Sequence, residues 1–592
     1  MTEVNRRSFA LMGALGLSGS LGACATATPA LGSTPPGADA PPIELGISDR
    51  IRAAEDLLGV SFTDAERAQM AEGVREGAGS IQVLREHPKP NSLAPATVFD
   101  PRLPGKLYGL GGLPSEGNGG TAATAPARTL SDTDLAFAGV TTQRRLLDRR
   151  QITSVQLTQL YLDRIAAHAD ALECFITVTP ELALRQARDA DRRLAAGERG
   201  PLLGIPYAAK DLFDTAGIRT TYGAEPFRDR VATDDAWVVR RLADAGAPLL
   251  GKTTLGALAY GDIWFGGRTN NPWNLREGSS GSSAGSASAV AAGLCSFALG
   301  TETLGSLVSP STRCGTATLR PTFGTVPRTG AMALVWSMDK IGPIVRHIDD
   351  AHAVLSVITG WDPGDPSCVI PNMDAGAVGD RTGRMRVGVD PAWFEAADSG
   401  QRAALDAIRG LADVVDITDA VPSDLPLGSL GNILVAEAAS AFEMLTLDGR
   451  DDTLSWQDDA AWPNTFRTAR FLSAIDMIQA DRVRRQAMQH MGETFTRVDA
   501  LLSPPFAGGL LQVTNYTGHP CATIRAGFSD QPDRTLFGNA TDDTIAQTAR
   551  VPNSVVLWGA LFDDARLIAL AGELERALGV ASERPAAFAA TS

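Results

Sequence analysis

Between Glu277 and Pro321 the chain reads EGSSGSSAGSASAVAAGLCSFALGTETLGSLVSPSTRCGTATLRP, and no other stretch narrows the choice of fold as far. Side chains this small let backbone segments approach closely, and glycine adds conformations closed to other residues. A run of Gly, Ser and Ala alone reads as a flexible linker. This one passes directly into Leu294-Cys-Ser-Phe-Ala-Leu299, an apolar segment that a linker has no reason to enter. The pattern from Ala287 to Phe297 predicts a buried helix, with Ser282 and Ser306 flanking it. Far upstream, the apolar approach Gly204-Ile-Pro-Tyr-Ala-Ala leads to Lys210-Asp211. Two hydroxyls and one amine can serve as nucleophile, relay and base.

Composition removes several function classes. Of 592 residues, 44% are hydrophobic and 20% charged, which suits a folded globular chain with ample core. A net charge of −15 without any basic stripe repels a phosphate backbone, so no nucleic-acid partner is expected. Cys24, Cys174, Cys295, Cys314, Cys368 and Cys521 form no CxxC pair and allow at most one or two disulfides. The histidines show no HExxH spacing, and neither a metal nor a cofactor is expected.

Residues 1–30 carry Arg6-Arg7 followed by a short apolar, glycine-containing run, the pattern of a twin-arginine export signal. Leu21-Gly-Ala-Cys24 resembles a lipoprotein cleavage box, which makes Cys24 the candidate lipidation site; the alternative is a plain signal cut near Ala25–Ala30. The sequence therefore predicts an exported protein of the periplasm or cell envelope. No other run reaches the roughly 18 apolar residues of a membrane span, so membrane contact is expected only through that anchor.

Residues 31–45 read as a linker, 46–130 as a helical extension plus an extended arm, 131–580 as the main domain and 581–592 as a tail. In the extension, Ile51, Ala54, Leu57 and Leu58 repeat at helical spacing, and Thr63-Asp-Ala-Glu66 is a capping box. A structural or dimer-forming role, with a homodimer as the expected assembly, is its default reading. In the main domain, strand patterns at Leu202–Ala209, Ala247–Leu250, Arg384–Val389 and Val414–Ile417 alternate with helical ones at Trp237–Ala245, Asn432–Leu445, Thr468–Val498 and Asp564–Leu578. This alternation predicts an α/β domain. Loop-like stretches at 360–380 and 449–463 are candidates for shaping a substrate mouth.

Three motifs compete for the glycines and serines. Gly246-Ala-Pro-Leu-Leu-Gly-Lys252-Thr253 matches the letters of a P-loop, but strand-like bulk fills the loop that should cradle phosphate. Gly281-Ser-Ser283-Ala-Gly285 matches a nucleophile elbow centred on Ser283, which would need a partner among the downstream histidines His347, His352, His490 and His519. The third match is long. Gly204-Ile-Pro206 with Lys210-Asp211, Gly251-Lys-Thr253, Asn271-Pro-Trp-Asn274, Gly281-Ser282-Ser283, Ala289-Val-Ala-Ala-Gly293, Leu299-Gly-Thr301, Gly305-Ser306, Cys314-Gly315, Leu319-Arg-Pro-Thr322 and Ile341-Gly-Pro343 follow in the order of the amidase signature family, which residues 131–580 resemble.

The resemblance implies a central mixed β-sheet flanked by helices and hydrolysis of a carbon-nitrogen amide bond in a small molecule. It assigns Ser306 as nucleophile, Ser282 as the bridging serine on a cis peptide and Lys210 as base. The backbone of Thr303, Leu304, Gly305 and Ser306 is implied to form the oxyanion hole. Ser-Lys arrangements follow the general logic of catalytic triads, and a lysine base must be neutral, hence buried. The chain departs from the family pattern at Glu302, where an aspartate is usual, at Leu304, a glycine, and at Val308, an arginine. Ser280 and Ala284 replace glycines beside the first serine. Two other readings are carried forward: a non-catalytic binding lipoprotein that retains the fold, and an aminoacyl-tRNA amidotransferase-like subunit.

Overall fold

The computed structural model describes residues 46–86, 89–106, 108, 130–369, 383–534 and 547–589. The candidate signal, Cys24 and the linker lie outside them.

Eleven strands form the central sheet: β1 (Phe175–Val178), β2 (Tyr207–Lys210), β3 (Leu249–Thr253), β4 (Phe297–Glu302), β5 (Ala317–Arg320), β6 (Lys340–Val345), β7 (Arg386–Val389), β8 (Asp413–Asp416), β9 (Ala500–Ser503), β10 (Cys521–Pro532) and β11 (Thr548–Gly559). Their order across the sheet is β1-β3-β2-β4-β6-β5-β10-β11-β9-β7-β8. β2 runs parallel to both β3 and β4, β9, β7 and β8 are mutually parallel, and the pairs between these blocks are antiparallel. The mixed sheet flanked by helices is the architecture predicted. Helices such as Ser154–Leu172, Asp350–Ile358 and Asp564–Leu578 bury apolar faces in one large core cluster.

The region between the two serines folds differently from the reading of one helix over Ala287–Phe297. The helix is Ala284–Ala291, buried at every residue, and β4 begins at Phe297. Gly293, in the left-handed region at φ 68, turns the chain at the helix end. Small residues are required here by packing. A Cβ on Gly285 would lie 2.5 Å from the Thr254 amide nitrogen, and one on Gly300 would lie 2.7 Å from Ser283 Oγ.

The extension contains helices Ile47–Leu58 and Asp64–Glu86. The Thr63 amide donates to Glu66 Oε2 at 2.6 Å and the Glu66 amide to Thr63 Oγ1 at 3.3 Å, the reciprocal bonds of a capping box. Arg67 clasps the first helix through Glu55, Nε to Oε1 at 2.6 Å and Nη2 to Oε2 at 2.8 Å. Beyond it, residues 89–106 run without regular secondary structure across the main domain. Cys174, Cys295, Cys314, Cys368 and Cys521 are all free, so the allowance for one or two disulfides is not used among the described residues. No described helix is long and apolar enough to cross a membrane.

Candidate active site

β2 and β4 lie side by side in parallel, with Tyr207 opposite Phe297 and Ala209 opposite Leu299, so their carboxyl ends come together. This end of parallel strands is where open α/β sheets usually place their ligands. Lys210 is the last residue of β2, completely buried behind Tyr207, Ala208 and Ala209. Its Nζ donates to Ser282 Oγ at 2.8 Å, to Thr301 Oγ1 at 2.8 Å and to Ser283 Oγ at 3.2 Å. The lysine and Ser282 are 72 positions apart in sequence. Burial drives the Lys210 amine well below its ordinary 10.5, and the charges of Asp339 and Glu302 only partly oppose this. A buried amine among hydroxyls is thereby held toward its neutral form.

Ser282 follows a cis peptide bond with Gly281. Ser280, standing where the family pattern has glycine, sits in the left-handed region at φ 61. Its amide donates to Asp262 Oδ2 at 2.9 Å and its hydroxyl pairs with Ser309 at 2.8 Å, contacts that hold a conformation unfavourable to serine. Ser283 is fastened on the other side. Its hydroxyl donates to the Thr301 carbonyl at 3.1 Å and accepts from the Thr301 amide at 3.1 Å.

Ser306 is joined to this group through its backbone, whose carbonyl accepts from the Ser283 amide at 3.2 Å. Exposure rises from Lys210 at 0% to Ser282 at 1% and Ser306 at 8%, which leaves Ser306 the most open of the three. Among the described residues, no protein acceptor takes the amides of Thr303, Leu304, Gly305 or Ser306. The Leu304 side chain packs against the core and does not line the adjacent cleft.

Glu302 secures both sides of that loop. Completely buried, its Oε2 accepts from the amides of Leu307 at 2.8 Å and Val308 at 3.0 Å. Its Oε1 accepts from Arg320 Nη1 at 2.7 Å and Asn515 Nδ2 at 2.9 Å. Burial alone would raise the Glu302 carboxyl, but Arg320, the Val308 amide and Lys340 hold it at about 2, fully ionised. Asn515 lies in the helix Leu510–Thr517, and its bond to Glu302 ties that helix to the loop.

The competing motifs fare differently. Lys252 of the P-loop lookalike is buried in β3, ion-paired to Asp211 at 3.2 Å and bonded to the Phe213 carbonyl at 2.7 Å. It cannot reach a phosphate. Ser283 has bonds to Lys210 and Thr301, and among the described residues none to a histidine. His519, for instance, is buried against Thr517 with its imidazole pulled down to about 3, chiefly by burial. Thr301 was part of a recognised block, but its double service to Lys210 and Ser283 had no sequence signal beyond its place before Glu302. No group of three His, Cys, Asp or Glu among the described residues is placed to hold a metal.

The family model described as Amidase matches residues 156–568, more than half of the chain. The chain belongs to the amidase family. Among curated relatives, a glutamyl-tRNA(Gln) amidotransferase subunit from Methylococcus capsulatus is 43% identical over 280 residues, 45% of this chain and 58% of that protein. Its counterpart from Geobacter metallireducens is 34% identical over 406 residues, 63% of this chain and 83% of that protein. The alignment with the first two such relatives spans only 58% and 64% of their lengths. Among solved structures, the native peptide amidase of Stenotrophomonas maltophilia superposes with a TM-score of 0.62 at 27% identity, covering 75% of this chain and 97% of that one. The 6-aminohexanoate cyclic dimer hydrolase, at 24% identity and TM-score 0.61, shares the fold over 76% of this chain and 99% of its own.

Proposed function

We propose that this amidase-family chain hydrolyses the carbon-nitrogen bond of a small-molecule amide through an acyl-Ser306 intermediate. One observation carries the reading: a completely buried lysine 2.8 Å from Ser282 Oγ, surrounded by hydroxyls and pushed toward neutrality. Lys210 Nζ takes the Ser282 proton as Ser282 Oγ takes the proton of Ser306. Ser306 Oγ then bonds to the amide carbon, and the carbonyl oxygen becomes an oxyanion facing the amides of 303–306. Collapse returns the proton from Lys210 through Ser282 to the leaving nitrogen, which departs as an amine. Water, deprotonated along the same relay, attacks the ester and releases the acid and Ser306. Loss of one oxyanion donor of this kind typically costs about 2.7–4 kcal/mol.

The names of the curated relatives favour, as the second reading, a component of an amidotransferase, while the net charge of −15 favours a small-molecule substrate over tRNA. The twin arginine and Cys24 support export and a lipid anchor, and these rest on sequence alone. Exposed Leu57, Ile81, Val83 and Leu84 on the extension support a homodimer.

The test is a fluorophosphonate serine probe followed by mapping of the labelled peptide. Label on Ser306, absent in Ser306→Ala, strongly reduced in Lys210→Ala and retained in Ser283→Ala, is the expected result. Label on Ser283 instead overturns the assignment, and a protein inert to the probe favours a non-catalytic scaffold.

A further inference from the structure

The family match begins at residue 156, yet the arm at residues 89–106 lines a cleft beside the site. A cleft abuts the Lys210 centre through Thr301 and Thr303, floored by Asp339 and Lys340. Asn91, Ser92 and Ala94 of the arm form part of its wall, beside the segment Gly330–Leu334. Asn91 is clipped to that segment as a strand neighbour would be. Its Nδ2 donates to the Ala333 carbonyl at 2.8 Å, and its Oδ1 accepts from the Ala333 amide at 2.8 Å. Nδ2 also approaches the carbonyl of Ala441 at 3.4 Å.

The arm is held firmly further along. The Phe99 ring meets Phe323 edge-on at 5.1 Å, with the Arg484 guanidinium 3.6 Å from its centroid. Pro101 packs where a Cβ on Gly518 would come within 2.8 Å, and Leu103 is buried. A segment fixed in this way beside the clip cannot swing aside without breaking core contacts. It therefore acts as a wall of fixed position.

We propose that Asn91, Ser92 and Ala94 are specificity-determining residues that confine the substrate group lodged in this cleft to compact acyl chains. The proposal rests on the amide-hydrolysis reading. A rigid wall discriminates by size: each added methylene must displace the arm or leave the cleft, and one methylene is worth about tenfold or more in rate where a pocket is tight.

The test compares acyl p-nitroanilides from acetyl to decanoyl with wild type, Asn91→Ala and Ala94→Trp, together with amide hydrogen exchange at Ala333. Wild-type kcat/KM is expected to fall with chain length. Asn91→Ala should raise the ratio of decanoyl to acetyl kcat/KM by about tenfold, and Ala94→Trp should lower that ratio. Exchange at Ala333 should quicken in Asn91→Ala, because its amide loses its acceptor. Chain-length profiles identical to wild type in both folded variants overturn the wall. If wild type neither turns over nor labels at Ser306 while Ala333 exchange still quickens, the amidase reading fails and the clip stands. If exchange is also unchanged, the wall fails with it.

Discussion

Two lysines on neighbouring strands are both completely buried, yet their surroundings differ in the one respect that decides charge. Ala209 pairs with Lys252 and Lys210 with Thr253 across β2 and β3. Lys252 has a carboxylate, Asp211, 3.2 Å away; Lys210 has Ser282, Ser283 and Thr301. Burial lowers both amines, but attraction to Asp211 opposes the shift at Lys252, and Lys210 falls well below its ordinary range. Lys210 ends β2 and Asp211 is the next residue, yet Lys210 bonds Ser282, Ser283 and Thr301 while Asp211 pairs with Lys252. The difference teaches that burial makes a lysine weakly basic, and hydroxyl partners in place of a contacting carboxylate keep it so.

The sharpest break is Lys210→Met. Losing the base should lower kcat/KM by about 10²–10⁴ with a near-wild-type melting curve, measured by amide turnover and calorimetry. The wild-type profile should show the origin of that loss. Activity needs the neutral amine, so kcat/KM should rise with pH through the lowered Lys210 pKa and level off well short of 10.5, changing about tenfold per pH unit on the limb. Stability carries the same signature. Between that lowered value and 10.5 the unfolded chain holds a proton the native chain lacks, so this group's contribution falls as pH drops through the window.

Lys252→Met inverts the outcome. Asp211 is left buried without its cation, and unfolding in urea should show a loss of about 3–5 kcal/mol with turnover per folded molecule preserved. Adding Asp211→Asn should restore part of the loss, and a double-mutant cycle measures the coupling. The smallest effect belongs to Thr301→Val, which removes a hydroxyl 2.8 Å from Nζ. An acceptor that favours the ammonium is gone, so the acid limb should move to lower pH, with an effect of about 0.5–1.5 kcal/mol. An unmoved limb would mean that Thr301 serves only Ser283.

Much of the site was legible because its chemistry is written in residue types. Lys210, Ser282 and Ser306 stand in ordered blocks, and the α/β class follows from alternating patterns. The strands were less visible. β10 and β11, each 12 residues long, bury most of their length and so lack the polar-apolar alternation that marks a half-exposed strand. The helix expected through Phe297 failed for a related reason. Ala, Leu and Phe suit either a buried helix or a buried strand, and only Gly293 hinted at the break.

Glu302 shows the remaining gap. In sequence it is a departure from an expected aspartate; in the fold it bridges the amides of Leu307 and Val308 to Arg320 and Asn515, a partner 213 positions away. The identity and order of the groups proposed to react, the small residues that permit close backbone approach and the net charge of −15 were determined by sequence, since each depends on residue type alone. Which lysine is pushed toward neutrality, which serines touch it, and that Asn91 of the extension walls the cleft were decided by tertiary structure. Those properties are distances and burial, and they exist only once the sheet brings distant strands to one edge.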